Sequence, residues 1–377
     1  MNWFLISFFS IYSLLHLYMF IKILRALYMP FLAYIVLALF MVFMILTLIF
    51  VRISEKTNYE TIAFIFAYAG YTWMAIIFLF FILHLFFDII TLFINLTGIL
   101  MQKDILNKSL LNKVYFFLAL IVSTCIVAYG YYEAADIKAE KIVIKSKKIP
   151  NDIGRIRLAQ ISDLHAGTIV NAKRIKRITD IIKSYQPDIL VSTGDLVDKR
   201  IDNTDNNFSY LKEIKPRFGK FAVLGNHEFY AGIKDAIRFT EEQGFKILRG
   251  KAIDIHGIII VAGVDDPAGI PFNYVEVSEK DLLKDLPKER LIILLKHQPL
   301  IDESAKPYFD IQLSGHTHNG QIYPFRYITR MIYPYFSGLT FLSEGKYLYV
   351  SSGTGTWGPP VRFLAPPEVT IFDFIAE

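Results

Sequence analysis

Four long apolar runs before residue 135 limit what this chain can fold into more than any other feature. Residues 3–21, 29–51 and 114–132 each approach the length needed to cross a hydrocarbon core roughly 30 Å thick. The remaining run, 61–101, is too long for one crossing and lacks a turn signal that would make it two. It reads as one span over about 62–88, followed by a helix that leaves the bilayer or lies along its surface. The first run has no basic leader and no small-residue cleavage site, so it reads as a span rather than a signal peptide. His84 and Asp88 lie four apart, on one helical face. They read as an interfacial pair that helps to end the span rather than as an intramembrane proton or ion site. The expected organisation is a membrane domain over 1–135, a linker over 136–154 and a soluble domain over 155–377.

Orientation follows from the loop cations. Lys22 and Arg25 follow the first span, and Lys103, Lys108 and Lys113 follow the third. Arg52 and Lys56 lie on the other side, with Lys138, Lys141, Lys145, Lys147 and Lys148 after the fourth span. Long domains cross largely regardless of charge, so the last cluster is discounted and the soluble domain is expected on the extracytoplasmic side.

Composition restricts the remainder. The hydrophobic fraction is 54%, and the excess sits almost wholly before residue 135. A net charge of +5 gives no reason to expect a nucleic-acid partner; membrane lipids fit better. The single cysteine, Cys125, excludes intramolecular disulfides and thiolate metal clusters.

From about residue 150, short apolar runs alternate with amphipathic stretches, as expected of strands and helices in an α/β domain. Strands are expected at 156–161, 188–192, 220–224, 258–262, 291–295, 311–313, 346–351 and 369–374, and helices at 172–185 and 233–243. Five of the strands run directly into metal-type ligands. The first is followed by Asp163 and His165, the second by Asp195 and Asp198, and the third by Asn226, His227 and Glu228. The strand at 291–295 is followed by His297, and that at 311–313 by His316 and His318. Ligands of α/β sheets bind beyond the carboxyl ends of the strands, so these residues should converge. Five of the chain's 8 histidines sit at these ends, a distribution not expected of core histidines. Asp-x-His and His-x-His each put two ligands on one face of an extended chain. Gly194, Gly225 and Gly315 precede Asp195, Asn226 and His316 and allow tight backbone there. Mixed imidazole and carboxylate ligands suit divalent Mn, Fe, Zn or Ni better than Ca or Mg.

The ordered set of Asp163-x-His165, Gly194-Asp195-x-x-Asp198, Gly225-Asn226-His227-Glu228, His297 and Gly315-His316-x-His318 resembles the calcineurin-like metallophosphoesterases over about 155–375. The ending from Gly353 to Phe363, before Pro367 and Glu368, is similar to the branch of membrane-anchored bacterial phosphodiesterases, some of which cleave UDP-diacylglucosamine. The resemblance implies a transmembrane helical bundle followed by a four-layer α/β/β/α sandwich. It implies that Asp163, His165 and His318 bind one metal, that Asn226, His297 and His316 bind the other, and that Asp195 bridges them. His227 would face the scissile phosphate, steadied by Asp163.

The reaction expected is hydrolysis of a phosphoester or pyrophosphate by metal-hydroxide attack, on a phosphorylated small molecule or a lipid-linked substrate. The alternatives are a general phosphomonoesterase or nucleotidase, and a non-catalytic sensor of a phosphorylated ligand. Trp357, Arg362 and Phe363 are candidates to line the phosphate pocket, with Arg362 foremost as a phosphate contact beside Asn226 and His227. The aromatic stretch 323–341 reads as an apolar cap or membrane-dipping loop, or as packing against the rest of the protein.

Overall fold

The computed structural model describes residues 3–57, 59–102, 107–198, 206–272 and 277–377. Lys103, one of the charges behind the expected orientation, lies outside them. The chain divides into two units, Met1–Tyr132 with Gly358–Val361, and Glu133–Trp357 with Arg362–Glu377.

The first unit is helical: α1 (Trp3–Ala26), α2 (Phe31–Lys56), α3 (Glu60–Met101) and the greater part of α4 (Lys108–Ala135). All four are long and apolar enough to cross a membrane. The long run is a single helix of 42 residues, and Asp88 does not end it. Asp88 is partly exposed and is held by α1. Lys22 Nζ of α1 reaches both its oxygens at 2.6 Å, and the Tyr18 hydroxyl donates to it at 2.6 Å. His84, one turn earlier, is buried against the same Tyr18. The His84–Asp88 pair expected to end a span is half of a polar cluster that ties α3 to α1.

The second unit holds, among the described residues, two six-stranded sheets. The first has the order β1 (Lys138–Ser146), β12 (Glu368–Ala376), β2 (Arg155–Ile161), β3 (Ile189–Ser192), β4 (Lys220–Ala222) and β5 (Lys246–Ile247). The second has the order β10 (Gly338–Ser343), β11 (Lys346–Val350), β9 (Ile311–Ser314), β8 (Leu291–Leu295), β7 (Ile259–Gly263) and β6 (Lys251–Ile255). Strands β2 to β5 are parallel to one another, and so are β7, β8, β9 and β11.

Alternation along the strands builds the layers. Leu158, Val191, Phe221, Val261, Ile293 and Leu313 point into one core between the sheets. Their neighbours Ala159, Leu190 and Ala222 point outward, onto a core shared with α5 (Ala172–Tyr185) and α7 (Ile233–Glu242). On the far side Ile260, Ile292 and Leu294 pack with Leu283 of α8 (Glu279–Leu283) and with Phe309. Helix, sheet, sheet, helix is the result, and the central strands are apolar on both faces because both are covered.

The expected linker is not one. Residues 138–146 form β1, paired in parallel with β12 over its whole length. Its lysines and exposed positions are those of an edge strand, which hid it in the sequence.

Candidate metal centre

The parallel strands of both sheets deliver their ligand loops to one place. Asp163 and His165 follow β2, Asp195 follows β3, and Asn226 begins α6 (Asn226–Ala231) just past β4. His297 follows β8, and His316 and His318 follow β9. Backbone bonds knit the loops together: Asp163 N donates to Gly194 O at 3.0 Å, His165 N to Asp195 O at 3.0 Å, and Gly315 N to His297 O at 2.9 Å.

The ligands do not lie on extended chain, as the Asp-x-His and His-x-His spacing suggested. Asp163, His165, Asp195, His316 and His318 all have left-handed backbone, with φ of 52°, 51°, 53°, 73° and 49°. Five such residues outside glycine are costly, and the surrounding bonds hold them there. Two glycines make the crowding possible. A Cβ at Gly225 would collide with the Asp195 carboxylate, and one at Gly315 with Ser162 and Asp163.

The side chains meet around Asp195. His297 Nε2 lies 3.3 Å from Asp195 Oδ2, 3.2 Å from Asn226 Oδ1 and 3.1 Å from His316 Nδ1. On the other side His165 Nε2 lies 3.8 Å from Asp195 Oδ2 and 3.1 Å from His318 Nε2. His318 Nε2 is in turn 3.3 Å from Asp163 Oδ1. Three groups can each gather a ligand atom per residue within 4.8 Å: Asp163, His165 and His318; His165, Asp195 and His227; and Asp195, His297 and His316.

Such a set of buried acceptors facing one another fits divalent cations, and the supports beneath it agree. His297 Nδ1 donates to Thr193 O at 2.8 Å, so Nε2 is the nitrogen turned toward Asp195. His316 Nε2 meets the Tyr333 hydroxyl at 2.9 Å, which turns Nδ1 inward. Burial would push Asp195 up, but His297, His227 and His165 outweigh it and hold the carboxyl well below its usual range. Burial would likewise lower His297, but the Asp195 charge raises it well above its ordinary value. Positive charge is therefore favoured between these two residues. His316, by contrast, is pushed down to about 4 by burial and by His297.

Arg362 corrects the sequence reading. It is fully buried, and its guanidinium donates to the carbonyls of His318, Ser352, Ala365 and Gly355. A fork spent on carbonyls does not meet a phosphate. Its Nη2 also lies 3.1 Å from His318 Nδ1. Burial, then the Arg362 charge, holds His318 well below its normal pKa and hence neutral, as a ligand must be.

His227 differs too. Its Nδ1 bonds Asp198 Oδ1 at 2.7 Å, so Asp198, not Asp163, steadies it. Asp163 instead accepts from His316 N at 3.0 Å and from the Ser162 hydroxyl. Burial opposes a charge on His227, but Asp195 and Asp198 prevail and push its pKa up to about 9. The rings of Tyr230 and Trp357 lie 5.9 and 6.0 Å from it, and both side chains are exposed.

Two supports were missed in the sequence. Glu228 was visible only as part of a motif; buried, it accepts from the backbone N–H groups of Gly225, Asp195 and Leu196 at 2.7, 2.9 and 2.6 Å, fastening the loops after β3 and β4. Tyr333 stood in the aromatic stretch, with no signal that it would reach His316.

The calcineurin-like phosphoesterase family profile matches residues 156–320. An uncharacterized metallophosphoesterase of Aquifex aeolicus is 39% identical over 254 residues, which is 67% of this chain and 97% of the relative. One from Campylobacter jejuni is 33% identical, over 74% of this chain and 75% of its own length. A Danio rerio transmembrane protein with metallophosphoesterase domain is 31% identical, over 67% of this chain and 61% of its own.

Proposed function

The chain belongs to the calcineurin-like metallophosphoesterases, and on that premise we propose that it is a membrane-anchored hydrolase that cleaves a phosphoester or pyrophosphate bond of a lipid-linked substrate. The observation that carries the reading is the convergence of seven ligand-type side chains and His227, from five strand ends, around Asp195. Asp163, His165 and His318 would hold one divalent ion, Asn226, His297 and His316 the other, and Asp195 both. Bound there, the ions would supply Lewis-acid polarisation of a phosphoryl oxygen and an acidified water.

The protein's own groups do the rest. With Nδ1 on Asp198 and its pKa raised against burial by Asp195 and Asp198, His227 is suited to offer a proton from Nε2 to the leaving oxygen. Asp198 holds the ring in that tautomer. Glu228 keeps Asp195 and Asn226 in register, and burial, with Arg362 beside it, keeps His318 neutral. The exposed rings of Tyr230 and Trp357 beside His227 suit an apolar substrate, and the four long apolar helices support delivery from a bilayer. The loop cations favour an extracytoplasmic catalytic domain, which a reporter fused to the carboxyl terminus tests.

The function is tested with purified, manganese-loaded protein on bis-p-nitrophenyl phosphate and on a panel of membrane lipids and nucleotide-lipids. Hydrolysis by the native chain and its loss in Asp195→Asn are expected. Equal activity in the two would refute the role given to Asp195.

A further inference from the structure

The stretch from Gln321 to Ser343 contains no Asp or Glu and two arginines, Arg326 and Arg330. It forms α9 (Arg326–Ile332) and the edge strand β10. Most of its large apolar side chains face outward. Met331 is 85% exposed, Phe341 64% and Ile332 63%, with Tyr327, Ile328, Phe325, Leu339 and Tyr335 also exposed. Scattered apolar residues on a surface mean little, but eight large ones exposed within one short stretch mark a contact. An apolar edge strand open to water is also a liability that proteins ordinarily blunt with charge. Here β10 carries none.

We propose that α9 and β10 form a docking face that dips into the headgroup and upper acyl region of an anionic bilayer. Three observations select that occupant. The chain carries its own membrane helices, so a bilayer is always at hand. The face carries two cations, Arg326 and Arg330, against one exposed anion, Glu344 in the turn after β10, a composition suited to acidic lipid. Arg326 and Arg330 both lie over the Phe336 ring, at 5.2 and 5.9 Å, so their charge is carried on the aromatic face itself.

The face is also wired to the metal centre. Tyr333, directly after α9, bonds His316, and Phe336 O accepts from the Thr317 hydroxyl at 2.6 Å. The inference rests on the membrane-anchored reading of the chain and deepens it, but it does not depend on turnover.

The test uses the full chain in nanodiscs of mixed zwitterionic and anionic lipid, on a Cys125→Ser background. Single cysteines at Met331, at Val42 of α2 and at Glu289, on the opposite rim of the second sheet before β8, carry a bimane label. Lipids spin-labelled near the headgroup are read at 331 and 289, and lipids spin-labelled deep in the acyl chain at 42, which lies midway along α2. Strong quenching at 331, several-fold above that at 289, is expected, and Arg330→Glu should reduce it in anionic but not in purely zwitterionic discs. Quenching at 42 with none at 331 would overturn the docking face. No quenching at 42 would instead sink the membrane anchor itself. Label–label contact between chains at 331 without lipid quenching would assign the face to a second copy and also overturn the proposal.

Discussion

Arg362 and Tyr333 act on the metal centre without touching what it binds. Each turns one histidine: Arg362 lies against Nδ1 of His318, and Tyr333 bonds Nε2 of His316. Such outer supports typically change metal affinity about 10–100-fold. Tyr333→Phe keeps the ring and removes only the hydroxyl, so manganese affinity measured by calorimetry should fall within that range while the melting temperature holds. Unchanged affinity would remove Tyr333 from the centre. Arg362→Met is harsher, because it strips partners from several buried carbonyls, and a cost of about 3–5 kcal/mol is expected from the melting curve. Asp198 Oδ1 lies against two histidines, Nδ1 of His227 at 2.7 Å and Nδ1 of the candidate ligand His165 at 3.5 Å. In Asp198→Asn metal affinity should fall about 10–100-fold, turnover at saturating metal should drop about 10²–10⁴-fold, and the alkaline limb of the pH profile should move to lower pH. The sign follows from the ring's environment: burial lowers the His227 pKa, Asp195 and Asp198 raise it to about 9, and removing one carboxylate lets it fall. Unchanged turnover at saturating metal would remove Asp198 and His227 from the proton transfer.

Between elements, the join of β2 and β12 gives a prediction on stability. Arg157 of β2 forms a two-pronged pair with Asp373 of β12 at 2.7 Å in each arm. That bond, more than burial opposes it, holds Asp373 below its usual carboxylate value. A depressed carboxyl prefers the folded state when ionised, so its contribution is full above the unfolded value of about 3.9 and fades as pH falls through the folded one. Asp373→Asn should therefore cost about 1–2 kcal/mol at pH 7 and almost nothing near pH 2, as read by melting at both. A gap that persisted in acid would assign the loss to packing. The same elements mark how far the sequence could be read. The central strands announce themselves as short apolar runs, each ending in glycine or a ligand, because both faces are buried. Strand β1 did not, since lysines interrupt its alternation and its partner β12 lies more than 200 residues away. The ligand types and their order were legible because metal chemistry fixes them locally. Their left-handed backbone, the Asp198–His227 bond and the burial of Arg362 depend on how distant loops meet, which spacing along one chain does not encode.

At the scale of the whole molecule, each unit joins distant segments through polar contacts rather than apolar packing alone. In the helical unit Lys22, Tyr18 and Asp88 tie α1 to α3. In the α/β unit seven candidate ligands and their supports come from both sheets at their carboxyl ends, so cations bound there would also bind the sheets to each other. Loading with manganese should raise the melting temperature of the catalytic domain in proportion to the logarithm of free metal. The central claim is that two cations share Asp195, and anomalous scattering from manganese-soaked crystals of the full chain tests it most directly. The account predicts two peaks per chain, both against the Asp195 carboxylate, one beside His165 and His318 and the other beside His297 and His316. A single peak, or two that do not share Asp195, would contradict it.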